Sequence, residues 1–71
     1  MSKLSFEMAL ANMKRGKMVR RACEPDTAYA IIADRITVWQ RVEGGEKWEF
    51  VGVDGFLRAV DVLSDDWEVV E

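Results

Sequence analysis

The 71-residue sequence predicts an α+β fold, an N-terminal helix packed on a roughly five-stranded antiparallel sheet in one small domain. Three observations carry that reading. Phe6, Ala9, Leu10 and Met13 recur at i, i+3, i+4 and i+7, which lays one apolar stripe along a helix. β-prone runs punctuated by turn residues fill the middle of the chain. A final run, Trp67 to Glu71, alternates as a half-buried strand does.

Taken in order, Ser5 caps a helix running to about Arg15, because its hydroxyl can accept a free first-turn N–H. Glu7 suits the positive N-terminal end, Lys14 and Arg15 the other, and Gly16 supplies the left-handed stop. Lys17–Ala22 follows as a strand, with Met18, Arg20 and Ala22 on one side and Val19 and Arg21 on the other. Glu24-Pro25-Asp26 breaks it, since proline lacks a donor and restricts the residue before it. Thr27–Ala33 is β-prone, and Asp34-Arg35 is the expected tight turn. Ile36–Val42 is the next strand, with Thr37, Trp39 and Arg41 sharing a face. Gly44-Gly45 marks a hairpin to Glu46–Val53, which places Trp48 and Phe50 on one face and Val51 and Val53 on the other. Asp54-Gly55 is a further turn, and Phe56–Ala59 is strand or loop. Val60, Val62 and Leu63 allow a turn or two of helix before Ser64, Asp65 and Asp66, whose short oxygens favour turns and caps. The last strand pairs within the sheet.

A chain of this length buries only about 60% of its unfolded surface, and Cys23, being alone, forms no internal disulfide. Without histidine or a Cys/His cluster there is no zinc staple, so oligomerisation is the expected source of further buried area. The longest apolar run, Ala28–Ala33, is six residues and no apolar signal core opens the chain, so the expected location is cytoplasmic, away from membranes. Net charge is −3, which disfavours direct nucleic-acid binding. Its distribution is lopsided: residues 1–21 carry six Lys/Arg against one Glu, and residues 22–71 carry four against twelve acids.

Catalysis has no evident constellation, because Cys23 lacks an obvious base. Asp61, Asp65 and Asp66 read as a solvated acidic surface rather than a metal site. No catalytic residue, metal or cofactor is expected. The basic cluster Lys14, Arg15, Lys17, Arg20 and Arg21 reads first as helix-dipole complement and surface solubility. Arg20 and Arg21 alternate to opposite faces, so at most one of them meets the core side or an interface, and an arginine there needs a carboxylate or a ligand phosphate for its planar fork. Trp39, Trp48 and Trp67 read first as core or interface anchors. The functional reading is a stacking platform for a base, with arginine nearby for phosphate.

With those residues in view, the chain resembles the phage Thoeris anti-defence family of the second type. Phe6, Ala9-Leu10, Gly16-Lys17, Val19 and Arg21 are similar to the family's F-x-x-A-L … G-K-x-V-x-R. Asp61-Val62-Leu63-Ser64-Asp65-Asp66-Trp67-Glu68-Val69 is similar to its D-L-L-x-x-D-W-E-V, so the two motifs frame nearly the whole chain. The resemblance implies a helix-and-sheet homotetramer that binds cyclic ADP-ribose signals or cyclic oligonucleotides between subunits without cleaving them, a sponge that keeps an immune effector off. It carries Arg21 and Asp61 over as ligand-binding residues. Trp39, Arg41, Trp48 and Arg58 join them as candidates by residue type alone. The family's R-x-G-W reads Arg21-Ala22-Cys23-Glu24 here, and a carboxylate in place of the aromatic repels phosphate. The alternative is therefore a protein-binding inhibitor of a host defence complex, an anti-CRISPR-like protein whose acidic C-terminal two-thirds mimics nucleic acid.

Overall fold

The structure, a computed structural model, describes residues 3–42, 45–53 and 57–70. Its elements are α1 (Phe6–Lys14), β1 (Met18–Arg21), β2 (Thr27–Ile32), β3 (Arg35–Gln40), β4 (Glu49–Val53), α2 (Ala59–Leu63) and β5 (Trp67–Val70). The five strands form one antiparallel sheet in the order β4-β3-β2-β1-β5. The α+β architecture follows the sequence pattern, with α1 on the sheet.

Helix α1 begins where Ser5 Oγ accepts the Met8 N–H at 3.3 Å. It ends where Gly16 adopts a φ of +87°, a conformation that costs glycine little. Its stripe meets the sheet as the spacing requires. Ala9 and Met13 are buried, and Phe6 and Leu10 pack partly buried against the same core. Val19, Tyr29, Val38 and Trp67 supply the sheet side of that core. Strand β5 returns to pair with β1, Met18 opposite Val70 through Arg21 opposite Trp67. It is an edge strand whose outer side is closed at Leu4, which exchanges backbone hydrogen bonds with Trp67 at 2.7 and 3.0 Å.

Two expectations need correction. The β2–β3 turn is Ala33-Asp34, not Asp34-Arg35. Both turn residues have positive φ, 53° and 66°, and Ile32 pairs with Arg35 across the hairpin. Such a two-residue turn matches the right-handed twist of the flanking strands. On β4, Val53 shares a face with Phe50. Val53 pairs with Thr37, and Phe50 pairs with Trp39, so Val51 is the extra residue of a β-bulge that resets the alternation. Strand ends also retract: β1 omits Lys17 and Ala22, β3 stops at Gln40, and β4 starts only at Glu49. Gly44 of the expected hairpin, the Asp54-Gly55 turn, Phe56 and Glu71 lie outside the described residues.

The sheet has two unlike faces. Alternation and register put Val19, Arg21, Tyr29, Val38 and Trp67 beneath the helices. The opposite face carries Arg20, Ala28, Ala30, Thr37, Trp39, Phe50 and Val53, and among the described residues neither helix covers it. α1 lies chiefly over β1, β2 and β5.

Candidate binding site

The six candidate ligand-binding residues fall into two groups on opposite sides of the sheet. Arg21, Arg58 and Asp61 gather on the helix side, where β1, α2 and the start of β5 meet. Trp39, Arg41 and Trp48 gather at the open side.

The helix-side group is closed upon itself. Arg21 donates from Nε to Asp66 Oδ1 at 2.5 Å, from a terminal nitrogen to Asp66 Oδ2 at 3.2 Å, and from the other to Asp61 Oδ1 at 2.6 Å. Asp61 is fully buried, and its second oxygen accepts the Arg58 backbone N–H at 2.9 Å and the Arg58 Nε–H at 3.4 Å. That backbone bond caps α2 from within its first turn. Arg58, an exposed residue, also reaches Glu24 at 3.7 Å, which answers the carboxylate standing where the resembling family has its aromatic. The 0%-exposed Trp67 completes the knot by donating its indole N–H to the Asp61 carbonyl at 2.9 Å.

The fork of Arg21 is therefore spent on two carboxylates, and the buried arginine finds its partner inside the chain. Asp61 and Asp66, expected as solvated surface acids, are structural: Asp61 is buried, and Asp66 clamps the arginine in a bidentate pair. Asp65 alone of the three is exposed. The sequence points to Arg21 and Asp61 but not to their pairing with Asp66, whose only local signal is its place just before Trp67.

Electrostatics follow the geometry. The hydrogen bond from Arg21 holds the Asp66 carboxyl below the usual range despite partial desolvation. Burial pushes the Asp61 carboxyl up, but bonds from the Arg58 backbone, Arg21 and the Arg58 side chain outweigh it and leave it lowered. Arg21 is raised chiefly by its bond to Asp66. Burial also raises the neighbouring Tyr29 hydroxyl, with Asp61 and Glu24 adding to it. Carboxylates depressed in the folded state contribute stability that is present above their ordinary value near pH 4 and lost as pH falls through the folded values. Urea unfolding followed from pH 6 downwards is thus expected to weaken steeply below about pH 4. The Asp61→Asn, Asp66→Asn double variant, less stable at neutral pH, should lose much of that acid slope.

The open side is of another character. The Arg41 N–H donates to the Asp26 carbonyl at 3.1 Å, extending the β2–β3 ladder by one residue and keeping Arg41 on the face of Trp39. The Arg41 side chain donates from Nε to Asp26 Oδ1 at 2.8 Å, and its guanidinium lies 4.8 Å over the Trp48 ring. Trp39 donates its indole N–H to Thr37 Oγ1 at 2.8 Å, and the Thr37 hydroxyl in turn donates to the Ala30 carbonyl at 2.9 Å. The Trp39 ring meets Phe50 edge-on at 5.5 Å. The result is an aromatic shelf carrying the Arg41 cation, which Asp26 holds through its inner nitrogen. Alternation foretold that Trp39 and Arg41 share a face. Asp26 and Phe50 were not foreseen as partners, because Asp26 comes from the turn before β2 and Phe50 from β4.

Among the described residues, no group of three or more His, Cys, Asp or Glu side chains is placed to hold a metal ion, and no helix is long and apolar enough to cross a membrane. Comparison with models of known protein families, with curated proteins and with solved structures finds no match.

Proposed function

We propose that this protein is a non-catalytic binder that sequesters a cyclic nucleotide immune signal in the cytoplasm of an infected bacterium, with the ligand met by Trp39, Arg41 and Trp48 rather than by Arg21. The observation that carries the reading is the Arg41 guanidinium stacked on Trp48 at 4.8 Å beside the Trp39–Phe50 pair. A stacked base is worth about 1–3 kcal/mol on such an aromatic surface. A planar guanidinium fixed by Asp26 through Nε can still turn its outer nitrogens to a phosphate. The resemblance to anti-defence sponges supplies the ligand class, and tight binding is the whole mechanism. Arg58 and Asp61 take no part in the contact; they hold the fold that presents the shelf.

The test is a thermal-melt panel with cyclic ADP-ribose isomers and cyclic di- and trinucleotides. A ligand at about 100 times its dissociation constant adds about 2.7 kcal/mol, a rise on the order of 10 °C for a domain this small. Arg41→Ala and Trp48→Ala should abolish the rise while leaving the melt of the free protein nearly in place. A flat panel from folded protein would sink the sponge reading.

The inhibitor reading keeps one observation of its own, the exposure of Phe50 and Val53 on a face broad enough for a protein. An acidic mimic surface would use Asp65 rather than Asp66, which Arg21 already holds. Pull-downs against defence complexes, with Asp65→Lys as the variant expected to lose capture, address it.

A further inference from the structure

We infer that the outer edge of β4 is a docking site for an extended, basic segment of a partner protein, which joins the sheet as a further strand beside β4. The inference goes beyond the ligand reading and does not depend on it. An added strand lies in the plane of the sheet and leaves the face that carries Trp39 and Arg41 open.

Strand β4 ends the sheet and pairs with β3 on one side only. About half of the backbone N–H and C=O groups of such a strand point away from its neighbour, and among the described residues no backbone group meets those of β4. The opposite edge is treated differently, because Leu4 exchanges two hydrogen bonds with Trp67 there. The chain also leaves β4 inward: Leu57 packs against the core, and Arg58 reaches Glu24 between β1 and β2. Neither lysine nor proline, the usual guards of an edge, stands in Glu49–Val53. Phe50, Val51 and Val53 are 55, 41 and 40% exposed, so both rims of the strand offer apolar contact. An extended backbone satisfies that row of groups, and its alternate side chains rest beside Phe50 and Val53.

Charge selects the occupant. Glu46 and Glu49 are exposed, and among the described residues no ion pair engages either. In sequence the same stretch includes Glu43 and Asp54, so residues 43–54 hold four acids against Lys47. On the neighbouring strand Asp26 already holds Arg41, and Arg35 lies beyond the Val53 end, away from Glu46 and Glu49. A second copy offering the same edge would set like charge against like and bulge against bulge, both of which discourage edge-to-edge pairing. A flexible segment with Lys or Arg among its apolar residues neutralises the acids and adjusts to the Val51 bulge. The remaining exposed apolar group, Val60, Val62 and Leu63 on α2, has its backbone groups turned into a helix and offers no such row.

Titration of the isotope-labelled full chain tests the inference, with a synthetic peptide of about nine residues in which valine alternates with lysine and arginine. Up to about 1 mM peptide, the backbone amide resonances of Glu49–Val53 should shift saturably, and amides on the outer edge should gain protection from hydrogen exchange. The Glu46→Lys, Glu49→Lys double variant, changed only at exposed positions, should raise the dissociation constant by about tenfold or more. Far-UV circular dichroism establishes that this variant is folded. The same peptide N-methylated along its backbone keeps every charge but loses its donors, and should bind about tenfold more weakly or worse. The absence of shifts in β4 up to about 1 mM overturns the inference. So does binding that the N-methylated peptide matches, that survives the double variant, or that centres on another part of the chain.

Discussion

Asp61→Ala is expected to lower the unfolding free energy by about 3–5 kcal/mol, the cost of removing one partner from a buried ion pair. The substitution leaves the Arg21 terminal nitrogen that now lies 2.6 Å from Asp61 without its acceptor in a nearly closed site. It also strips the Arg58 N–H of the carboxylate that starts α2. A small domain has total stability near the lower end of the usual 5–15 kcal/mol, so the variant should be largely unfolded at 25 °C or have a urea midpoint lower by about 3 M. Asp61→Asn keeps an oxygen acceptor and should lose distinctly less. Arg21→Ala strands Asp61 and Asp66 instead, and the Arg21→Ala, Asp61→Ala double variant should cost well under the sum of its parts, because the two residues share one network. A midpoint for Asp61→Ala within experimental error of wild type would show that the cluster is not what joins α2 to the sheet.

Trp67→Ala should be comparably severe, about 3–5 kcal/mol by the measure of large-to-small core substitutions. The indole is wholly buried, stands 5.5 Å from the Phe6 ring and 5.7 Å from Tyr29, and holds the Asp61 carbonyl. Loss of the ring therefore opens a cavity beneath α1 and frees the residue that caps α2. Trp67→Phe retains much of the ring packing but not the hydrogen bond, and should fall between the two. Thermal unfolding monitored by circular dichroism orders the three proteins. Equal melting points for Trp67→Phe and Trp67→Ala would assign the whole effect to the hydrogen bond.

These two residues also show where the sequence is legible. Helix α1 reads directly because its signals are local: the Ser5 oxygen, the apolar stripe and Gly16 act within a few residues of the backbone groups they satisfy. Strand alternation is almost as local, and it places Arg21 with Val19 and Trp39 with Arg41. It fails at Val53, because the bulge at Val51 inserts a residue with no signature in the side chains. It slips by one at Ala33, which takes a positive φ that the turn geometry demands and alanine does not advertise. The site is less legible for a topological reason. A buried arginine announces that it needs an anion, but which of the 13 acids answers depends on β5 returning beside β1. That return sets Asp66 and Asp61 around Arg21 and closes to ligands the position that the family resemblance would carry over.

The central claim is that a nucleotide signal binds at the open face and not at the Arg21 cluster, and the three indole N–H resonances test it directly. Trp39 and Trp48 lie on the open side, while Trp67 is sealed against Asp61 on the other. Titration of isotope-labelled protein with the compound that raises the melting point is expected to shift the Trp48 resonance most, Trp39 next and Trp67 scarcely at all. A titration that moves Trp67 and leaves Trp48 in place, or that moves none of the three, would contradict the account.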